Sequence, residues 1–485
     1  MKRIFLLLAA MSLVPVLKAQ KNPLLKFKIT GIKDTTVFLA NYYGNKLYYS
    51  DTTKADAKGN VTFGTKKKYE PGIYAVVIPG NKYFEIVVNN ENITIETDTA
   101  DFVSKMVVKQ SEENQLFYDY IKYINDKKKE ADPLREKLKP LDPKSAEADV
   151  IRKKLSSIDK DVRNKQTSMY TDHPQKLIAK IVKLSIDPDI PEAPKNPDGS
   201  LVDSMFAYKY LKTHYWDNVD FSDRRLVRCP FFHNRVENYF KNMVAQVPDS
   251  IIVETDRLIE KIDTCKEMFK YVVHFLTYTT ESSKVMCMDA AFVHIAFKYY
   301  KTGKVFWLDK DKVKKITDRA DELAPITCQT PAHNVSLLDT AGTKWVKLYD
   351  MKADYTVLIF WDPECGHCKK EMPKFAELYE KWKSKGVSVY AVSADDNDKW
   401  KKFIRDNKMT FVNVAAPQKV YSDQQMAVDL IQKGLTDLKS LNYRTTFDVY
   451  STPKVFLLDK NKKIIAKQLE ADQVEKILEF KIGKL

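Results

Sequence analysis

Phe360-Trp361-Asp362-Pro363-Glu364-Cys365-Gly366-His367-Cys368 is the segment that most restricts what this chain can fold into. The nearly continuous apolar run 356–360 predicts a strand buried on both faces, and 365–382 predicts a helix. Two cysteines therefore sit three residues apart where a strand gives way to the first turn of a helix. Thiols at that spacing can close a small, reversible disulfide. The first lies where free backbone N–H groups and the helix dipole favour a thiolate. His367 stands between them; when protonated it would stabilise the Cys365 thiolate further and make the disulfide more oxidising.

Around this segment, strands and helices alternate. A second buried strand is predicted at 387–392, and a helix at 399–407 behind the capping cluster Asp395-Asp396-Asn397. Strands follow at 409–414, 454–458 and 462–469, with a closing helix at 471–480. This is an α/β unit with a central mixed sheet.

These residues resemble the thioredoxin fold. Phe360-Trp361 precedes the cysteine pair, Pro373 lies five residues after Cys368, and Thr452-Pro453 precedes the strand 454–458. The resemblance covers 325–485. It implies a cis Thr452-Pro453 peptide beside the disulfide, with the Thr452 backbone, Pro453 and Trp361 forming the substrate-binding surface. A cis X-Pro bond is uncommon and usually deliberate. Within thioredoxins the segment is most similar to the exported TlpA-like group, through the lead-in Val335-Ser336-Leu337-Leu338-Asp339-Thr340-Ala341-Gly342. The long stretch 417–450, with an extra helix around 424–431, exceeds a minimal thioredoxin. The CGHC centre is the version seen in protein disulfide isomerases, which implies a less reducing couple than thioredoxin's. Two positions depart from the pattern. Ile359 stands where thioredoxins bury a proton-relaying acid, and Glu364 stands where they carry Trp. Glu364 and a bound water are the alternative proton acceptors for Cys368.

The rest of the chain divides into three further parts. Residues 1–19 read as a signal peptide: Lys2 and Arg3 precede an apolar run at 4–17, and Leu17-Lys18-Ala19 offers a cleavage site before Gln20. That run, about 14 residues, is short of the ~20 needed to span a bilayer. The expectation is an exported protein of the periplasm or cell envelope, soluble after cleavage, with its cysteines in an oxidising compartment. Residues 20–108 read as a small all-β domain, an antiparallel sandwich or barrel with strands at 26–32, 37–43, 47–51, 72–78, 83–88 and 93–97. Residues 109–323 read as an all-α domain. It opens with a charged hairpin broken at Pro133, Pro140 and Pro143. Helices follow at 204–216, 235–247, 256–277, 284–300 and 311–322. Residues 324–485 complete the multidomain chain as the thioredoxin-like domain. This order of parts is similar to multidomain envelope proteins of the Bacteroidetes. The segments Asp220-Phe221-Ser222-Asp223-Arg224-Arg225-Leu226 and Met286-Cys287-Met288-Asp289-Ala290-Ala291-Phe292-Val293-His294 carry that part of the resemblance, which brings no activity with it.

Several chemistries are disfavoured. The net charge is 80 − 65 = +15, but the lysines are spread among acids, with no concentrated basic stripe of the kind nucleic acid requires. A structural zinc site needs four ligands, and Cys229, Cys265, Cys287 and Cys328 are scattered singly. They read as buried inert thiols or structural disulfides, with Cys287 and Cys328 the first pair to examine. Lys369 after Cys368 excludes the C-x-x-C-H haem attachment. No cofactor or metal is expected, and His294, on the apolar helix 290–299, reads as a satisfied packing residue rather than a ligand. The chemistry expected is thiol–disulfide exchange with protein clients, supplied by a membrane thiol electron carrier, in which Cys365 attacks and Cys368 resolves. Two alternatives stand beside it: capture of a partner by the β and helical domains, and a thiol peroxidase. Nothing in the sequence bears on oligomeric state.

Overall fold

The computed structural model describes residues 22–262 and 264–483, so the signal-peptide reading of residues 1–19 lies outside the described residues. The chain divides into two compact units, Met1–Tyr239 and Phe240–Leu485.

Among the described residues of the first unit, eight strands precede the helices: β1 (Leu25–Thr30), β2 (Thr36–Tyr43), β3 (Lys46–Lys54), β4 (Asn60–Phe63), β5 (Gly72–Ile78), β6 (Lys82–Val88), β7 (Ile93–Asp98) and β8 (Val107–Gln110). They form two four-stranded sheets, ordered β4-β1-β7-β8 and β3-β2-β5-β6. Side chains alternate faces along a strand. Accordingly Leu25, Phe27 and Ile29 of β1 are buried while Lys26, Lys28 and Thr30 are exposed. Phe27 meets Phe84 of the other sheet edge-on, with ring centroids 5.8 Å apart. One pairing corrects the expected antiparallel arrangement: β1 and β7 run parallel, from Leu25↔Ile93 to Thr30↔Asp98. Parallel neighbours require a long crossover, and here the intervening chain includes the whole second sheet.

The helices of this unit are α1 (Glu112–Leu138), α2 (Ala146–Asp172), α3 (Leu177–Leu184), α4 (Phe206–His214) and α5 (Pro230–Asn238). Ser111 caps α1 by accepting from Asn114 N, and Glu112 and Glu113 complement its dipole. Pro133 does not break the hairpin as expected but lies inside α1, two residues after the buried Ala131; Pro140 falls in the turn that follows. The buried Glu113 carboxylate also accepts from Leu177 N and Ile178 N at 2.8 and 2.9 Å, capping α3 from 64 residues away. No local sequence pattern announces that bond.

The second unit opens with α6 (Pro248–Ile262), α7 (Lys266–Glu281), α8 (Asp289–Ile295) and α9 (Lys310–Leu323). The single helix expected at 256–277 is two helices, because Cys265 has extended backbone and serves as the N-cap of α7. The helix expected from 284 starts only at Asp289. Cys287 before it is left-handed, at φ 69°, and is disulfide-bonded to Cys328.

The remaining elements are β9 (Ser336–Asp339), β10 (Trp345–Lys347), β11 (Tyr355–Trp361), α10 (Gly366–Trp382), β12 (Val387–Ser393), α11 (Asp398–Asp406), β13 (Val412–Ala415), α12 (Gln424–Gln432), α13 (Leu438–Leu441), α14 (Tyr443–Thr446), β14 (Lys454–Leu458), β15 (Ile464–Lys467) and α15 (Ala471–Ile482). The sheet order is β10-β9-β13-β12-β11-β14-β15. β11 and β12 pair parallel, as do β12 and β13, whereas β14 runs antiparallel to β11. Every residue of β12 is buried, as a strand covered on both faces requires. Trp361, Phe375, Trp382 and Trp400 fill one face of the sheet. Phe360, Tyr390, Phe447 and Phe456 fill the other, joined there by Ala320 and Leu323 of α9. The fold class is thus multidomain: N-terminal β sheets, a helical region, and a C-terminal thioredoxin-like α/β fold.

Candidate active site

β11 ends at Trp361, and a three-residue turn aims the chain into α10. Asp362 organises that turn: its Oδ1 accepts from Glu364 N at 2.7 Å and its carbonyl from Cys365 N at 3.2 Å. Cys365 is the N-cap of α10, with extended backbone, so its sulfur faces the free N–H groups of the first turn. Cys368 lies within that turn, fully buried, while Cys365 is partly exposed. The Thr452-Pro453 peptide is cis. The Cys365 thiol donates to the Thr452 carbonyl at 3.3 Å, joining residues 87 positions apart.

The two thiols are pushed in opposite directions. The backbone N–H of Cys368 is the main influence holding the Cys365 thiol below its ordinary range, with Thr452 and the backbone of His367 adding to it and burial opposing it. Burial pushes the Cys368 thiol up to about 11. One accessible, acidic sulfur therefore sits against one buried, protonated sulfur.

Of the other residues singled out from sequence, the His367 side chain is exposed and Pro453 is partly exposed near the dithiol. Trp361 is only 1% exposed; it packs beneath the site against Phe403, with ring centroids 5.3 Å apart. Glu364 is exposed and ion-paired with Lys399, whose ammonium holds its carboxyl below the usual range. Asp395, expected as part of a helix cap, belongs to an acidic rim with Asp362, Glu364 and Asp396. Burial first, then the charges of Asp362, Glu364 and Asp396, raise its pKa, and Arg444 opposes them. Acids ahead of a helix carry a strong capping signal, which masks a second role. The cap proper is Asn397, accepting from Trp400 N at 3.0 Å.

Away from the dithiol, Cys229 and Cys265 are buried free thiols, and burial pushes Cys229 up. His294 has its partner: its Nε2 lies 3.0 Å from the Asp256 carboxylate, which also accepts from the Tyr299 hydroxyl. Among the described residues, no group of three His, Cys, Asp or Glu side chains is arranged to hold a metal ion. Nor is any described helix long and apolar enough to cross a membrane.

Residues 328–467 match the AhpC/TSA family. Residues 153–322 and 25–117 match two domains of unknown function, DUF5106 and DUF4369. The chain is 32% identical over 155 residues to the thiol-disulfide oxidoreductase ResA of Bacillus thuringiensis, covering 32% of this chain and 76% of that protein. It is 30% identical over 134 residues to ResA of Bacillus subtilis, covering 28% and 63% respectively. Among solved structures, a domain of a possible thiol-disulfide isomerase from Cytophaga hutchinsonii is 36% identical, covering 33% of this chain and 97% of that one, at a TM-score of 0.27. A thiol:disulfide interchange protein from a Bacteroides species is 26% identical, covering 32% and 91%, also at 0.27. Through the domain that carries the Cys365–Cys368 pair, the chain belongs to the thiol-disulfide oxidoreductase family.

Proposed function

We propose that this chain is an exported thiol-disulfide oxidoreductase that exchanges disulfides with protein clients of the cell envelope, as a reductase or isomerase. The observation that carries the reading is the asymmetry of the dithiol: an accessible Cys365 with a lowered pKa beside a buried Cys368 with a raised one. Thiolates, not thiols, attack disulfides.

In the reducing direction, the Cys365 thiolate attacks one sulfur of the client disulfide. The client S–S bond breaks, a Cys365–client disulfide forms, and the departing client sulfur takes up a proton. Cys368 then loses its proton and attacks Cys365 Sγ. The mixed disulfide breaks, the Cys365–Cys368 disulfide forms, and the second client sulfur leaves as a thiol. Two electrons and two protons pass from the protein to the client. A thiol electron carrier at the membrane would return them. The Thr452 backbone and Pro453 would present an edge to the client chain, and the exposed His367 would favour the thiolate when protonated. A thiol peroxidase is the second reading, favoured only by the lowered pKa at Cys365, and peroxide consumption assays it directly.

The reduction potential of the Cys365–Cys368 pair, read by equilibration in glutathione buffers with the other cysteines blocked, tests the reading. A value near thioredoxin's, about −270 mV, supports a reductase with a dedicated electron supply. A value of about −180 to −120 mV supports isomerisation or oxidation. A pair that never equilibrates with glutathione overturns the proposal.

A further inference from the structure

We propose that Arg319, a residue of the helical segment, is a positioning residue for disulfide exchange, acting through Asp448 on the loop that carries Thr452-Pro453. The inference rests on the reading above, in which Thr452 receives the client.

Asp448 and Lys454 close the base of that loop. Lys454 Nζ donates to the Asp448 carbonyl at 2.9 Å and to its Oδ2 at 3.2 Å. Asp448 adopts a left-handed backbone, φ 54°, which aspartate reaches more readily than most side-chain-bearing residues. Its carboxylate is held from outside the loop by Arg319. The Arg319 guanidinium grips the carboxylate with both arms, Nη1 to Oδ1 at 2.5 Å and Nη2 to Oδ2 at 3.2 Å. A planar fork of this kind fixes direction as well as charge. Asp448 is only 7% exposed, so its carboxylate depends on these two cations rather than on water. The same guanidinium lies 5.8 Å from the ring of Tyr450, whose residue is 81% exposed at the loop's outer side.

Arg319 thus touches the loop at two points, and four residues beyond Asp448 the Thr452 carbonyl meets Cys365 Sγ. Arg319 lies outside the stretch 328–467 that matches the AhpC/TSA family and inside 153–322. The brace is therefore something the helical segment adds to the redox domain. The client chain must dock on the Thr452 edge before Cys365 can attack it, so loosening that edge weakens client binding rather than the chemical step and reads as a raised KM. With Lys454 still in place, that loosening is partial.

The test compares client turnover with bare thiol reactivity. Arg319→Leu is expected to raise KM for a peptide disulfide about tenfold with kcat nearly unchanged. Its rate of Cys365 alkylation by iodoacetamide, which needs no client docking, should match the parent. Arg319→Lys keeps the charge but not the fork and should recover part of the loss. Asp448→Asn should raise KM similarly, and the double variant Arg319→Leu/Asp448→Asn should lose little more, since both act on one linkage. An unchanged KM in Arg319→Leu and Asp448→Asn overturns the inference. So does an equal fall in turnover and alkylation, which would signal general loosening. If Arg319→Leu does not fold, Arg319→Lys and Asp448→Asn carry the comparison. Failure of the parent protein to exchange any peptide disulfide would instead remove the functional reading, and this inference with it.

Discussion

Cys365 and Cys368 share one helical turn, yet one thiol is held down by backbone N–H groups and the other is driven up by burial. Their reactivity should separate with pH. Alkylation at Cys365 should follow a single ionisation centred below the ordinary thiol value of about 8.5. Cys368 in the same protein should stay unmodified until the pH nears 11. Mass spectrometry of iodoacetamide-treated protein across pH 5–10 reads both; equal labelling of the two at pH 7 would contradict the geometry. The pair itself was legible because its spacing and its strand-to-helix setting are local. The partnership of Glu364 with Lys399 was not, since 35 residues separate them and both are exposed charges with many alternative partners.

At the scale of elements, β11 links the site to the core. Phe360, fully buried, packs against Tyr443, Phe447 and Phe456, with ring centroids 4.7 to 6.2 Å away. Its ring supports α14 and the start of the loop that carries Thr452. Phe360→Ala should cost about 3–5 kcal/mol by leaving a cavity there, measured by urea unfolding. A second element-level contact is the ion pair of Lys467 on β15 with Asp289 on α8, where the ammonium also donates to the Ile326 carbonyl at 2.9 Å. Burial lowers the Lys467 pKa. Asp289→Asn would strip a buried ammonium of its counter-charge and should cost about 3–5 kcal/mol. The double variant Asp289→Asn/Lys467→Met, which removes the ammonium as well, should cost less. Because the folded state binds this proton less readily than the unfolded chain, the Lys467 contribution to stability should rise with pH up to the ordinary lysine range. Element types were mostly readable, since β12 shows as a short run rich in Val and α10 as apolar residues at helical spacing. Boundaries set by tertiary ties were not. The break at Cys265 and the late start of α8 depend on backbone conformations with no signature in residue type.

Across the whole molecule, the change from short strands to helices near Ser111 and the return to strand–helix alternation near Ala324 were both visible in composition and periodicity. The division into compact units at Tyr239 and Phe240 was not, because helices lie on both sides and no proline- or glycine-rich linker marks it. Within the second unit, the Cys287–Cys328 disulfide spans 41 residues, from the approach to α8 to the lead-in of β9. In a chain-entropy account, a loop of that size is worth about 4 kcal/mol. Cys287→Ala/Cys328→Ala should lower stability by about 2–4 kcal/mol in denaturant while leaving Cys365 alkylation intact. A loss of Cys365 reactivity in that variant would mean that the disulfide takes part in the exchange rather than in the fold.

The central claim is that Cys365 attacks and Cys368 resolves. Non-reducing electrophoresis of the Cys368→Ser and Cys365→Ser variants, each incubated with a disulfide-bonded peptide, tests it most directly. The account predicts a stable Cys365–peptide mixed disulfide in Cys368→Ser and none in Cys365→Ser. An adduct formed by Cys365→Ser, or by neither variant while the parent still reduces the peptide, would contradict it.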